Sequence, residues 1–233
     1  MSRYFALLPA AGQGARMGAA MPKQYLPLAG QPLIRHSVRA LCSAPRIERV
    51  FVVLAADDTH WGKYDWSEFG ARLVPLFCGG ASRALSVLAG LHALHAAPWS
   101  VAEGDWVLVH DAARACLAPH LLERLIEDLR EDEIGGLLAM PVADTVKRAS
   151  TSRRTAQTVP RDGLWLAQTP QMFRYGLLRR ALAQYRDVTD EASAIEAAGL
   201  APRLVESDVT NLKITFPLDL HLAELILRDR EAT

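Results

Sequence analysis

Two cations stand beside a run of small residues near the start of the chain: Pro9-Ala10-Ala11-Gly12-Gln13-Gly14-Ala15-Arg16-Met17-Gly18, then Pro22-Lys23-Gln24-Tyr25. Glycine and alanine let a backbone turn tightly and approach a ligand, so successive N–H groups form a nest for phosphate oxygens. Arg16 offers a planar fork that grips two oxygens, and Lys23 a compact charge for one. The chemistry this pattern suits is the handling of a phosphate chain. The spacing Gly12-x-Gly14-x-x-x-Gly18 is not the dinucleotide fingerprint, whose third glycine comes one position earlier, and no Gly-Lys-Ser/Thr follows as in a P-loop. The chain has 22 arginines but only four lysines (Lys23, Lys63, Lys147, Lys213), so each lysine calls for a reason.

A second chemical signal is Asp111, just after the apolar run Trp106–Val109. A carboxylate at a strand's carboxyl end can meet Mg²⁺ or a substrate hydroxyl. Arg114 is a candidate partner of Asp111 and of a substrate, with a loop-fixing ion pair as the plainer alternative. His110 reads as structural.

The elements that must position these groups follow from periodicity. Tyr4–Leu8, Val50–Ala55, Leu73–Phe77, Trp106–Val109, Gly136–Val142 and Leu164–Ala167 read as short strands, most of them apolar on both faces. Between them lie helical stripes: Leu33, Ile34, Val38 and Leu41 after Pro32; Leu85, Leu88 and Leu94 after a capping Ser82; and Leu121, Leu122, Leu125, Ile126 and Leu129. Alternation of this kind predicts an α/β, Rossmann-like three-layer domain with a mostly parallel, mixed sheet, and ligands beyond the strands' carboxyl ends. Asp144–Gly163 breaks the rhythm: Lys147, Arg148, Arg153 and Arg154 sit among Ser and Thr with little apolar periodicity. Between strand-like flanks, it reads as a protruding arm. The tail Arg228–Thr233 is expected to fray.

Composition bounds the rest. The chain has 233 residues, 26 Lys plus Arg against 26 Asp plus Glu, and 50% hydrophobic residues, 37 of them alanine. Zero net charge excludes a generally basic nucleic-acid binder. No apolar run approaches the ~18 residues of a membrane span, and Tyr4–Ala11 is short for a secretory leader. Cys42, Cys78 and Cys116 are widely spaced without Cys-x-x-Cys, which predicts reduced, mostly buried thiols and a cytoplasmic setting.

The glycine loop with Arg16-Met17 and Pro22-Lys23-Gln24-Tyr25 resembles the signature of glycosyltransferase-A-like nucleotidyltransferases. Further stretches narrow the likeness: Gly79-Gly80 with Arg83 and Ser86-Val87; Val109-His110-Asp111-Ala112-Ala113-Arg114; Asp144-Thr145-Val146-Lys147; Gly163-Leu164-Trp165 with Thr169-Pro170-Gln171; Thr189-Asp190-Glu191-Ala192-Ser193; and Asn211-Leu212-Lys213. In order from about Phe5 to Leu225, they resemble the 2-C-methyl-D-erythritol 4-phosphate cytidylyltransferase family of isoprenoid biosynthesis.

The resemblance implies a single nucleotidyltransferase domain over residues 1–233 with a dimerisation arm at about 143–164. It implies CTP and a polyol phosphate as partners, and Mg²⁺ or another divalent cation as cofactor. The metal is held mainly by CTP phosphates, with Asp111 a possible ligand. It assigns catalysis to Arg16, Lys23, Arg161 and Lys213, and CTP binding to Ala10, Ala11, Gly12, Gly80 and Ser86. Acceptor binding falls to Asp111, Ala112, Arg114, Thr145, Arg161, Thr169, Thr189 and Lys213. Thr145 and Arg161 are expected to reach a second subunit's site through the arm of a homodimer. Ala81 and Leu85 stand where some relatives carry acids, so the resemblance does not carry over a side-chain contact to the ribose there, while the backbone contacts stand. The alternatives are a ribitol-5-phosphate cytidylyltransferase, an NAD(P)-dependent reductase disfavoured by the glycine spacing, and a non-catalytic nucleotide-binding regulator.

Overall fold

In the computed structural model, which describes residues 2–12, 21–96 and 98–231, the apolar runs become one seven-stranded sheet. In chain order, β1 (Tyr4–Pro9) leads through a short hairpin, β2 (Pro27–Leu28) and β3 (Gln31–Pro32), into helix α1 (Leu33–Ser43). The hairpin turns on Ala29 and Gly30, both at positive φ (46° and 76°), the combination a two-residue turn between antiparallel strands requires. β4 (Ile47–Val53), β5 (Leu73–Leu76), α2 (Arg83–His95), β6 (Trp106–Val109), α3 (Pro119–Leu129) and β7 (Gly135–Pro141) follow. After them come β8 (Val146–Ala149), β9 (Thr155–Val159), β10 (Trp165–Arg174), α4 (Tyr175–Gln184), α5 (Glu191–Ala197), β11 (Arg203–Glu206) and α6 (Pro217–Glu231).

The sheet order is β11-β7-β10-β6-β1-β4-β5. All pairings are parallel except those of β10, which runs antiparallel to both β6 and β7. Alternate residues of β1 feed two cores, as the period of a strand dictates. Ala6 and Leu8 pack with α1 and α3; Phe5 and Leu7 pack with α2, α4 and α5 on the other face. Helices on both faces of a mixed sheet are the three layers expected.

Local signals placed the helix starts well. Ser82 caps α2, its hydroxyl accepting from Leu85 N at 3.2 Å, a contact worth about 1 kcal/mol. Pro119 stands in the first turn of α3. The strand expected at Leu164–Ala167 instead continues to Arg174, because sheet neighbours on both sides carry β10 past the polar Gln168 and Thr169. The expected fraying is corrected for Arg228–Glu231, while Ala232 and Thr233 lie outside the described residues: α6 continues to Glu231, and Arg230 holds it by donating to the Cys116 carbonyl (2.8 Å) and to Thr210 Oγ1 (2.7 Å).

The arm is a hairpin of β8 and β9, exposed along nearly its whole length. Cys42 and Cys116 are buried, Cys78 partly so, and all three are free thiols. Among the described residues no helix is long and apolar enough to cross a membrane.

Candidate active site

The loops after β1, β5 and β6 meet at the carboxyl ends of the strands. Ala10 N–H donates to Val53 O and Gly79 N–H to Leu54 O, both at 2.8 Å, which ties the first two loops to the end of β4. Their approach is so close that a Cβ on Gly79 would overlap the Ala11 Cβ and lie 2.7 Å from the Leu54 carbonyl oxygen. Only glycine fits there. The result is a cleft of about 510 Å³, whose lining includes Ala10, Ala11, Gly12, Gly80 and Ser86 together with Lys23, Asp111, Ala112 and Lys213.

Ser86 does not project freely into this cleft. It is buried in the first turns of α2, where its hydroxyl accepts from Gly80 N–H (3.0 Å) and donates to Ser82 O (2.9 Å). It therefore shapes the glycine edge of the cleft. Lys23 sits in a single 3-10 turn, Lys23–Tyr25, whose flanking side chains anchor it. Gln24 Nε2 donates to Ala10 O at 2.6 Å, and the buried Tyr25 hydroxyl donates to Asp58 Oδ2 at 2.9 Å while its ring stacks on His60 and Tyr64. Arg16 falls in the segment 13–20 and lies outside the described residues.

A second cleft of about 180 Å³ adjoins the first and is lined by Arg114, Thr169 and Thr189 with Gln168, Gln171 and Asp190. The two share Arg83, Asp111 and Lys213 as a common wall. In that wall Asp111 Oδ1 accepts from Arg83 Nε at 2.9 Å and Oδ2 from Lys213 Nζ at 2.6 Å. Burial would raise the Asp111 pKa, but the attraction of Arg83 and Lys213 outweighs it and holds the carboxyl well below the ordinary range. Arg83 is in turn gripped by Glu191, with Nη1 at 2.7 Å from Oε1 and Nη2 at 2.9 Å from Oε2.

The expected Asp111–Arg114 pair is corrected. Arg114 lines the smaller cleft but turns its guanidinium to backbone carbonyls, Asn211 O at 2.6 Å and Ala167 O at 3.4 Å. Asp111 has no need of it, since Arg83 and Lys213 already hold both its oxygens. His110 is structural, as expected. Fully buried, its pKa is pushed down to about 4 by desolvation, so the ring is neutral, 3.1 Å from both the Arg114 carbonyl (Nε2) and the Thr169 hydroxyl (Nδ1). The Thr169 hydroxyl also receives Asp111 N–H at 3.0 Å, and so acts as a brace for the Asp111 loop.

Thr145 and Arg161 are not brought to either cleft of their own chain. Both are exposed at the base of the arm, where Arg161 donates to the Ala143 carbonyl. Thr189 is at the mouth of the smaller cleft. The grip of Glu191 on Arg83 escaped sequence reasoning although both residues lie in the quoted motifs. A glutamate in a helix's first turn reads as a partner of the helix dipole, and nothing local announces its burial.

Among the described residues no three His, Cys, Asp or Glu side chains group to hold a metal ion. With both its oxygens turned to cations, Asp111 is poorly placed to bind one by itself. A divalent ion fits this site only when its ligands come largely from a bound polyphosphate and water.

Residues 4–229 match the family described as 2-C-methyl-D-erythritol 4-phosphate cytidylyltransferase. A protein of that name from Azoarcus sp. (strain BH72) is 64% identical over 228 residues, covering 98% of this chain and 95% of the relative. Another of that name, from Aromatoleum aromaticum (strain DSM 19018 / LMG 30748 / EbN1), is 62% identical over 228 residues, covering 98% and 97%. Among solved structures, one described as 4-diphosphocytidyl-2C-methyl-D-erythritol synthase superposes with a TM-score of 0.86 at 39% identity, covering 97% of this chain and 99% of the other. The 2-C-methyl-D-erythritol 4-phosphate cytidylyltransferase of Francisella tularensis superposes with a TM-score of 0.81 at 32% identity, covering 97% and 100%.

Proposed function

The chain belongs to the 2-C-methyl-D-erythritol 4-phosphate cytidylyltransferase family, and from that premise we propose how its two clefts divide the reaction. The enzyme transfers CMP from CTP to 2-C-methyl-D-erythritol 4-phosphate in isoprenoid precursor biosynthesis. A phosphate oxygen of the acceptor attacks the α-phosphorus of CTP, the bond to the β-phosphate breaks, and 4-diphosphocytidyl-2-C-methyl-D-erythritol and pyrophosphate leave.

The observation that carries the proposal is the shared wall of Arg83, Asp111 and Lys213 between two adjoining clefts. CTP occupies the larger one, with its cytosine and ribose against Ala10, Ala11, Gly12, Gly80 and Ser86. The acceptor occupies the smaller one, its hydroxyls toward Asp111 with Arg114, Thr169 and Thr189 around it, while Ala112, expected beside the acceptor, lines the larger cleft next to the shared wall. Lys23 and Arg16 stabilise the charge that builds on the α-phosphate, and Lys213 holds the acceptor phosphate near the junction. Phosphoryl transfer of this kind rests on positioning and charge neutralisation, and the attacking phosphate is already ionised. The buried, neutral His110 is therefore left as scaffold. Mg²⁺ or another divalent cation, carried in by the triphosphate, adds charge neutralisation when bound.

The chain acts as one nucleotidyltransferase domain whose arm pairs it with a second copy in the cytoplasm. Thr145 and Arg161 of each arm complete the acceptor pocket of the other subunit. Support comes from the arm's exposure and from the place of both residues outside the lining of either cleft of their own chain. The test is pyrophosphate release from CTP, Mg²⁺ and a panel of polyol phosphates. Release with 2-C-methyl-D-erythritol 4-phosphate is expected, and release with ribitol 5-phosphate alone overturns the reading.

A further inference from the structure

We propose that Glu191 is a positioning residue for the acceptor: by holding the guanidinium of Arg83 it aims Arg83 Nε at Asp111 and keeps that carboxylate open to acceptor hydroxyls. The inference rests on the reading that Asp111 faces the acceptor.

Glu191 is completely buried and lines neither cleft, whereas Arg83 lines both. Helix α5 does not require a carboxylate at this position, because Asp190 and Ser193 already close a capping box at its start. Both Glu191 oxygens are spent on the two Nη atoms of Arg83, at 2.7 and 2.9 Å. A two-point pair of this kind fixes the plane of the guanidinium, and in that plane Nε lies 2.9 Å from Asp111 Oδ1. Buried ion pairs add little stability over apolar side chains of similar shape, so the use of this one lies in orientation.

The consequence falls on Asp111. A carboxylate has about four lone-pair sites. Arg83 and Lys213 take one each, which leaves room for hydroxyl donors. Glu191, buried behind the wall, also balances it: the two cations Arg83 and Lys213 face the two carboxylates Asp111 and Glu191. Without Glu191 the wall becomes cationic and the fork of Arg83 is released to close on Asp111, filling the sites the acceptor needs.

Initial rates of the Glu191→Gln enzyme against both substrates test this. Expected is a rise of about tenfold or more in KM for 2-C-methyl-D-erythritol 4-phosphate, the scale of one charge-assisted hydrogen bond, with KM for CTP within about threefold. Arg83→Lys keeps the charge but cannot span two carboxylates, and should show the same split. The double variant should be no worse than the poorer single one, as expected of residues acting as one unit. A folded Glu191→Gln enzyme with an unchanged acceptor KM, or with both KM values raised equally, overturns the proposal. If Glu191→Gln does not fold, a normal acceptor KM for Arg83→Lys overturns it instead. A wild-type enzyme inactive with this acceptor would refute the functional reading itself; an active wild type with unaffected variants refutes only the role of Glu191.

Discussion

Lys23 Nζ donates to the carbonyl of Ile214 at 2.7 Å, a bond that spans 191 residues of sequence. Ile214 N–H in turn donates to Ala113 O at 2.8 Å. The turn after the glycine loop, the loop after β6 and the segment carrying Lys213 are thereby stitched together. The proposed α-phosphate lysine and the proposed acceptor lysine are held on neighbouring pieces of one frame.

Replacing Lys23 by alanine should lower turnover by about a hundredfold to a thousandfold, the roughly 3–4 kcal/mol typical of losing one well-placed charge donor. The fold should survive, since Gln24 and Tyr25 still anchor the turn. Steady-state turnover with circular dichroism as a control checks this, and a folded variant with near-normal turnover would sink the assignment.

Ser86→Ala should weaken CTP binding by about fivefold to tenfold, the scale of one lost hydrogen bond. The variant leaves Gly80 N–H without its 3.0 Å acceptor and loosens the edge proposed to read cytosine. The preference for CTP over UTP should shrink with it. Unchanged affinity and base choice would refute this role.

Deletion of residues 146–160 should give monomers in sedimentation and abolish acceptor turnover, whereas an intact dimer would contradict the arm's function. A finer check mixes inactive Lys23→Ala and Arg161→Ala enzymes. If the arm acts across the interface, each mixed dimer holds one complete site, and exchange should restore up to about a quarter of wild-type activity. No recovery after demonstrated exchange would confine Arg161 to its own subunit.

His110 should make stability depend on pH. Its folded pKa of about 4 lies below the ordinary histidine value near 6.5, so the unfolded chain binds the proton more readily. Stability from this group is fully present above about pH 6.5 and is lost as pH falls toward 4, by roughly 3 kcal/mol in all. Urea unfolding at a series of pH values checks it: His110→Asn should lose this part of the slope, and a wild-type protein equally stable at pH 7 and pH 4.5 would contradict it. The Asp111 carboxyl, depressed by Arg83 and Lys213, stays ionised over this window and adds its own loss only at more acid pH.

The sequence by itself determined whatever depends on neighbours along the chain. The strands β1, β4, β5 and β6 were legible because buried parallel strands are short apolar runs. The starts of α2 and α3 were legible in Ser82 and Pro119, and the arm showed as a polar stretch with no face to bury. The glycine-rich edge of the larger cleft was legible as small residues, and at Gly79 and Gly80 the reason is close approach, since a Cβ at either would overlap its neighbours.

Tertiary structure alone decided the pairings. Helix α5 carries Glu191 to Arg83 across 108 residues, and Arg114 turns to the Asn211 carbonyl rather than to Asp111. The strand β10 returns antiparallel between β6 and β7 and brings Thr169 under the Asp111 loop. A charged side chain has no periodicity to reveal its partner. Which opposite charge it meets depends on the order in which strands are laid into the sheet, and on which sites other cations have already filled.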